Sequence, residues 1–504
     1  MRTPILLGLA LLVTSAVHAQ TTSAADLDAI VQRVIAQERV VGASVLVARG
    51  DRILLHKGYG FADLALEAPT KDETVYHIVG PMLPFTGIAV MQQVERGKLS
   101  LDDDISKFIP EFPLQGHHVT VRQLLNHTSG IVDYHYLGDP IEATSRQPKA
   151  LDEVTALYAG KKWVNEPGQK WDWSISGFNL LVTIVERVAG ESFPDYVQQN
   201  IFKPAGVKST SYCDDFTLTR GLAHAYRKIG GGAGTNYVEA RENGMAYNSD
   251  LRFCSTVGDL LQLWRAIKEK SLVRAETFKQ MTTAEGAAQH MSAQDPKAQY
   301  GFAMILNHEE GLNKEGRQQE DHRRIGQHGS LMGYSGSLYD FPEDNLTIIV
   351  LTNTEDQNAY AITRALGRAI LGLPALPAPK HEAVPTLADK PISADERKQF
   401  AGTFVLKLGQ MGANLHDSFA QYRRTYRVFD ENGRLMIQPL GEGPERLLKQ
   451  DDGSFAMRSS PAAHISFVVQ NGHATTMKLD SPGFPLVGER VGDGDPATFH
   501  GQLK

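Results

Sequence analysis

The chain has 504 residues, enough for a large core and two or three structural units. An apolar share of 42% and a charged share of 22% are ordinary for a globular protein. A net charge of -7, from 51 basic and 58 acidic residues without a basic stripe, gives no sign of a nucleic-acid partner, and none is expected.

The N-terminus has a targeting pattern. Arg2 precedes the apolar run Ile5-Leu6-Leu7-Gly8-Leu9-Ala10-Leu11-Leu12-Val13, and Val17-His18-Ala19 offers small residues for cleavage. Residues 1–19 are expected to be a secretory signal peptide, too short to span a bilayer, with the mature chain starting at about Gln20. No other stretch has the length and apolarity of a membrane span. The mature protein is expected to be exported, periplasmic or secreted. Its two cysteines, Cys213 and Cys254, fit neither a zinc site nor a redox motif. One disulfide and two buried thiols both remain open.

Asp26-Leu27-Asp28-Ala29-Ile30-Val31-Gln32-Arg33-Val34-Ile35 has apolar residues three and four apart and predicts an amphipathic helix. Residues 42–48 and 52–56 are β-rich and are joined by Gly50-Asp51, a hairpin turn. Thr74-Val75-Tyr76-His77-Ile78-Val79-Gly80-Pro81-Met82-Leu83-Pro84-Phe85-Thr86 then reads as a strand end, a sharp break and the start of a helix stopped by Gly97. Gly80 is expected to cap that helix with Pro81 in its first turn. Pro84, as a fourth-position proline, would lose a helical hydrogen bond and make the first turn irregular. Apolar residues nearly encircle the helix from Phe85 to Val94, the pattern of a central buried helix.

Together with Lys57-Gly58-Tyr59-Gly60, Leu99-Ser100-Leu101-Asp102-Asp103 and Leu124-Leu125-Asn126-His127-Thr128-Ser129-Gly130, this stretch resembles the serine β-lactamase and penicillin-binding-protein family. The likeness is greatest to its D-Ala-D-Ala carboxypeptidase-like and esterase-like members. In that family the helix opens with Ser-x-x-Lys. Laying Pro84-Phe85-Thr86 on the pattern puts Gly80 at the nucleophile and Leu83 at the lysine base. Trp171-Asp172-Trp173-Ser174-Ile175-Ser176-Gly177-Phe178-Asn179 resembles the family's Tyr-x-Asn segment, with Trp173 at the tyrosine and Ile175 at the asparagine. An indole cannot shuttle a proton to oxygen, and isoleucine offers no hydrogen bond. Gly326-Gln327-His328-Gly329-Ser330 is similar to the strand bearing Lys-Thr-Gly or, in esterase-like branches, His-x-Gly. His328, Gly329, Ser330, Trp173 and Ser174 are therefore the expected pocket residues.

Ile201-Phe202-Lys203-Pro204 and Phe253-Cys254-Ser255-Thr256 match further family segments. Gly230-Gly231-Gly232-Ala233-Gly234 lacks the lysine and helix of a phosphate loop and is expected to be a surface loop. Residues 337–340 and 346–352 predict a hairpin, followed by a helix from Ala359 to Leu371. The resemblance implies an α+β fold of the β-lactamase/transpeptidase type over residues 20–372. That fold is an antiparallel sheet flanked by helices, with an all-helical lobe. Leu373-Pro374-Ala375-Leu376-Pro377 opens a proline-rich linker over residues 373–393. Residues 394–504 have short β-rich runs with turn pairs at Asn432-Gly433, Asp452-Gly453 and Asn471-Gly472. They predict a small all-β barrel or sandwich, similar to the lipocalin-like modules that follow some relatives.

Acyl transfer on this scaffold needs a nucleophile, a base, a proton relay and an oxyanion hole. All four side chains are replaced, so the expected function is a pseudoenzyme that binds a small-molecule or peptide ligand, or a partner. The alternative is a hydrolase whose nucleophile has moved to Ser129, Ser174, Ser176 or Ser330, with His328 as base. A third reading is a structural role, with Leu83, Trp173 and Ile175 closing the pocket. No cofactor or metal is expected: no His-Glu-x-x-His occurs, and His117-His118 lacks metal spacing.

Overall fold

A computed structural model describes the chain except for residues 1–22, 140–149, 214–217, 230–235, 241–252, 293–294, 313–317, 379–384, 410–420, 482–483 and 494–504. The expected signal peptide and the glycine-rich loop lie outside the described residues.

The chain enters through α1 (Ala24–Glu38), which opens with a capping box between Ser23 and Asp26. Its buried stripe is Leu27, Val31 and Val34. The hairpin β1 (Gly42–Arg49) and β2 (Arg52–Asp63) follows, then the short β3 (Ala68–Pro69) and β4 (Tyr76–His77). Helix α2 (Leu83–Glu95) is buried at every position from Leu83 to Gln93, as the apolar belt predicts. Its start differs from the expectation. Gly80 is not the cap: its carbonyl accepts from Leu83 N–H in a tight turn, and the helix begins at Leu83. Pro84 therefore falls in the first turn, where a missing N–H costs nothing.

The helical lobe contains α3 (Val121–Leu125), α4 (Leu151–Tyr158) and α5 (Ile175–Ala189), the last stopped by Gly190 in the left-handed region. Two short antiparallel elements come next: β5 (Ser211–Tyr212) paired through β8 (Phe253–Ser255) to β4, and the separate ribbon of β6 (Tyr226–Ile229) and β7 (Asn236–Glu239). Helix α6 (Val257–Lys268) follows. The chain then completes the main sheet with β9 (Gln299–Tyr300), β10 (Ile305–Leu312), β11 (Gln318–Leu331), β12 (Tyr334–Phe341) and β13 (Leu346–Thr352), and closes with α7 (Asn358–Ile370).

The main sheet has eight antiparallel strands in the order β3-β2-β1-β13-β12-β11-β10-β9. The pairing of β1 with β13, Val45 opposite Val350, joins the two ends of this unit. One face buries α1 and α7 against Tyr339, Phe341, Ile348 and Val350. The other face carries α2 and the helical lobe, with Leu83, Ile88, Leu124, Phe178, Ile325 and Leu338 in one core. Strand residues alternate between the two faces, so parity along β11 decides which residues reach the α2 side.

Helix α8 (Ala394–Phe400) leads into the C-terminal strands β14 (Gly402–Leu408), β15 (Arg423–Glu431), β16 (Arg434–Pro439), β17 (Glu445–Arg446), β18 (Leu448–Lys449), β19 (Phe455–Ala456), β20 (His464–Gln470), β21 (His473–Ser481) and β22 (Phe484–Gly492). They form one antiparallel sheet in the order β17-β16-β15-β14-β22-β21-β20-β19-β18. Its two edge strands are neighbours in sequence, separated only by buried Leu447, so the sheet curls into a nearly closed barrel. Asn432-Gly433 and Asn471-Gly472 both have positive φ, as the two-residue hairpin turns require. Phe400 of α8 packs 5.1 Å from Phe455 and Phe467.

Candidate functional site

The segment after β4 carries the chain to Gly80 at the foot of α2. Gly80 has φ +87°, a conformation that L side chains avoid. A Cβ added there would lie 2.3 Å from the carbonyl carbon of His328, 2.5 Å from Gly329 N and 2.7 Å from His328 O. The close approach is mutual. A Cβ on Gly329 would fall 3.0 Å from Gly80 N, and one on Gly336 would fall 2.7 Å from Val79 O. The space a nucleophilic side chain would occupy is filled by the backbone of β11.

Leu83 is fully buried in the α2 core and offers only methyl groups to the site. Ile175 is also buried, and its N–H donates to Asp133 Oδ2 at 2.6 Å. Asp133 Oδ1 accepts from the His135 N–H at 2.8 Å, so this buried carboxylate organises the start of α5 and the loop before Leu137. Trp173 is half-buried, with its ring 4.4 Å from that of His127. Tyr300 and Phe178 lie 4.8 and 4.9 Å from the same imidazole, and Trp171 lies 6.0 Å away. His127 Nδ1 accepts the Ser174 N–H at 3.2 Å, which leaves the proton of a neutral ring on Nε2. The Tyr300 hydroxyl accepts from Gln327 Nε2 at 2.7 Å. Burial raises the Tyr300 pKa well above that of an ordinary phenol, so it stays protonated.

His328 sits elsewhere. It is one residue from Gln327 and Gly329 along β11, so its ring projects from the opposite face. There it stacks on Tyr360 of α7 at 4.0 Å, and its Nδ1 meets the Tyr339 hydroxyl at 2.8 Å. Burial, aided by the Arg324 charge, lowers its pKa to about 4. At neutral pH it is an uncharged ring packed between the sheet and α7. Gln327 is the residue beside Gly329 whose side chain reaches the α2 side.

Each candidate serine has a backbone partner. The Ser174 hydroxyl caps α5 by accepting from Gly177 N at 3.3 Å, and Ser176 accepts from Tyr134 N at 3.0 Å. Ser129 accepts from Ile131 N at 3.3 Å. Ser330 donates to Tyr334 O at 3.2 Å and accepts from Asp356 N at 2.7 Å. The structure thus sets the Gly80 and Gly329 backbones against each other, buries Leu83 and Ile175 in one core with Trp173 packed against it, and turns the His328 ring to the other face of β11.

The sequence reading did not single out Gln327, Asp133 or the ring cluster around His127. The period-2 rule applied to β11 would have found the first, because it separates His328 from Gly329. The C-terminal barrel docks next to the same loop. Gly138 bridges to Arg423, and Asp139 Oδ1 accepts from Thr425 N at 2.8 Å while Oδ2 meets the Thr425 hydroxyl. Gln421 Nε2 donates to Lys162 O at 2.6 Å. Cys213 and Cys254 are joined in a disulfide. His117 pairs with Glu166 and His118 with Asp104, each at 3.2 Å.

Comparison with known proteins gives a consistent picture. Residues 27–373 match the family model described as "Beta-lactamase". Penicillin-binding protein 4* of Bacillus subtilis is 25% identical over 444 residues, covering 84% of this chain and 90% of that protein. Protein flp of Staphylococcus aureus is 24% identical over 362 residues, covering 69% of this chain and 66% of that protein. Among solved structures, the octameric penicillin-binding protein homologue from Pyrococcus abyssi superposes with a TM-score of 0.59 at 21% identity, covering 92% of this chain and 99% of that one. The D-amino acid amidase from Ochrobactrum anthropi SV3 gives a TM-score of 0.57 at 18% identity, covering 69% and 99%. At these identities the structural likeness speaks for the fold alone.

Proposed function

Because the chain belongs to the beta-lactamase family, we propose that it is a non-acylating member, an exported pseudoenzyme that binds a small-molecule or peptide ligand without turning it over. The observation that carries this reading is the collision between any side chain at position 80 and the His328–Gly329 backbone. An acyl-enzyme needs a hydroxyl at the head of α2, and here there is neither the hydroxyl nor the room for it. Leu83 provides no base, Ile175 no polar contact and Trp173 no proton relay. Members of a catalytic unit act together rather than additively, so loss of the nucleophile alone would remove most of the rate, and the other three replacements supply nothing to restore it.

The relocated-nucleophile alternative draws no support from the geometry. Ser129, Ser174, Ser176 and Ser330 are engaged with backbone groups. His328, its intended base, stacks on Tyr360 on the other side of the sheet. Half-buried Trp171 and Trp173 provide the aromatic surface on which a peptide or acyl compound would rest. The name of the 25% identical relative, a penicillin-binding protein, suggests a penicillin-like acyl compound as the ligand class.

Tryptophan fluorescence under titration with acyl-D-Ala-D-Ala peptides and D-amino acid amides tests this reading. Saturable quenching, lost in Trp173→Ala and with the added compound recovered intact, is expected. Release of product in proportion to protein would overturn it.

A further inference from the structure

The small sheet that delivers the chain to Gly80 has a second feature. Cys213 and Cys254 are bonded with their Cα atoms 5.8 Å apart. Cys254 in β8 lies opposite His77 of β4 on one side and Ser211 of β5 on the other. His77 Nδ1 is 3.4 Å from Cys213 Sγ, and the three ligand atoms all lie within 4.8 Å of one another. All three residues are buried, at 9%, 2% and 0% exposure for His77, Cys213 and Cys254. Val75 and Leu222 pack around the sulfurs, and Tyr334 lies 5.2 Å from the imidazole.

A disulfide staple is complete with its two sulfurs. The imidazole nitrogen beside one of them is a third donor, of a type that suits copper and zinc, at the same apolar cluster. Metal–sulfur bonds of about 2.3 Å and metal–nitrogen bonds of about 2.0–2.1 Å, at tetrahedral or trigonal angles, separate S from N by about 3.5–3.8 Å. Cys213 Sγ and His77 Nδ1 are already close to that spacing, so a cation would need the sulfur–sulfur bond to open and the two sulfurs to part to about 3.8–4 Å.

We propose that reduction of the Cys213–Cys254 disulfide converts this cluster into a site for one soft d10 cation, held by both thiolates and His77 Nδ1. The balance is simple. A dithiol reductant supplies two electrons and two protons, the S–S bond breaks, two thiols form and the reductant closes its own disulfide. The cation then makes two bonds to sulfur and one to nitrogen, and both thiol protons are released. Three donors in an apolar wall suit Cu(I), which accepts trigonal coordination, and leave Zn(II) one ligand short of its usual four. The site does not depend on what the Gly80 region binds. It does sit three residues upstream of it, so loading would tighten the β4–β8–β5 sheet from which that segment leaves.

The test uses the whole mature protein, treated anaerobically with dithiothreitol, desalted and titrated with Cu(I) held by a colorimetric chelator. Two thiols should appear with the far-UV circular dichroism unchanged. The reduced protein, and not the oxidised one, should take one Cu(I) per chain. His77→Ala, which keeps both cysteines, should weaken that uptake on the order of tenfold or more. Three results would overturn the proposal: no thiol released under native conditions, no Cu(I) taken up by reduced protein, or uptake that His77→Ala leaves unchanged. The last would mean two thiolates chelating without a built site.

Discussion

At the head of α2, the effect of Gly80 is steric as much as chemical. Gly80→Ser would place a Cβ on the His328–Gly329 backbone at a positive φ. Strain and overpacking should together lower stability by about 2–4 kcal/mol, seen as a drop in the urea midpoint with no gain of reactivity toward acyl substrates. His328 gives a pH prediction. Its folded pKa of about 4 lies below the ordinary 6.5, so the unfolded chain binds the extra proton first. The ring's contribution is therefore complete above pH 6.5 and is lost as the pH falls toward 4. A shift of this size corresponds to roughly 3.4 kcal/mol at most. The urea midpoint of His328→Phe should fall less than that of the natural protein between pH 7 and pH 4. The proposed replacement of the four catalytic side chains rests on the sequence alignment, which flanking residues such as Phe85, Thr86, Gly177 and Phe178 set. The direction of His328 was not read from it, since a motif match ignores which face of a strand a residue occupies.

Among the elements, α5 and β11 position the site. Helix α5 begins where Ser174 caps it and where Asp133 receives the Ile175 N–H. Ser174→Ala should cost about 1 kcal/mol in a chemical melt and leave every ligand interaction of Trp173 in place, which separates a capping serine from a nucleophile. On the other face of the sheet, Glu309 is 1% exposed and meets Arg364 and Arg368 at 2.7 Å, with Arg324 at 3.4 Å. Burial raises its pKa, yet the three guanidinium groups prevail and hold it below the usual carboxylate value. Glu309→Gln would leave those guanidinium groups uncompensated and should destabilise the fold by about 3–5 kcal/mol. This network ties β10 and β11 to α7. No local pattern revealed it, because Glu309 is far in sequence from each of its three arginine partners, on β11 and α7. The hairpins, the central helix and the glycine stops were legible, because turn chemistry and apolar periodicity are local. The start of α2 was misplaced: two prolines three residues apart allow two first turns, and packing against β11 selects the later one.

In the whole molecule, the C-terminal barrel contacts the unit that carries the site. Asp139 binds Thr425 beside Arg424, all three buried, just beyond the loop where Asp133 meets α5. Asp139→Ala removes the acceptor for Thr425 N and a countercharge of Arg424. It should lower the barrel's stability by about 2–3 kcal/mol, seen as a lower unfolding midpoint, and expose residues 421–426 to proteolysis. A β-rich C-terminal unit was evident from turn spacing alone, but its docking on residues 138–139 was not, because interfaces have no local period.

The most direct test of the central claim is the intact mass of the mature protein after incubation with a serine-reactive fluorophosphonate and, in parallel, with a penicillin. An unchanged mass with both reagents over hours at neutral pH is expected. A stoichiometric adduct mapped to the peptide of Ser129, Ser174, Ser176 or Ser330 would contradict it and identify the chain as a hydrolase with a displaced nucleophile.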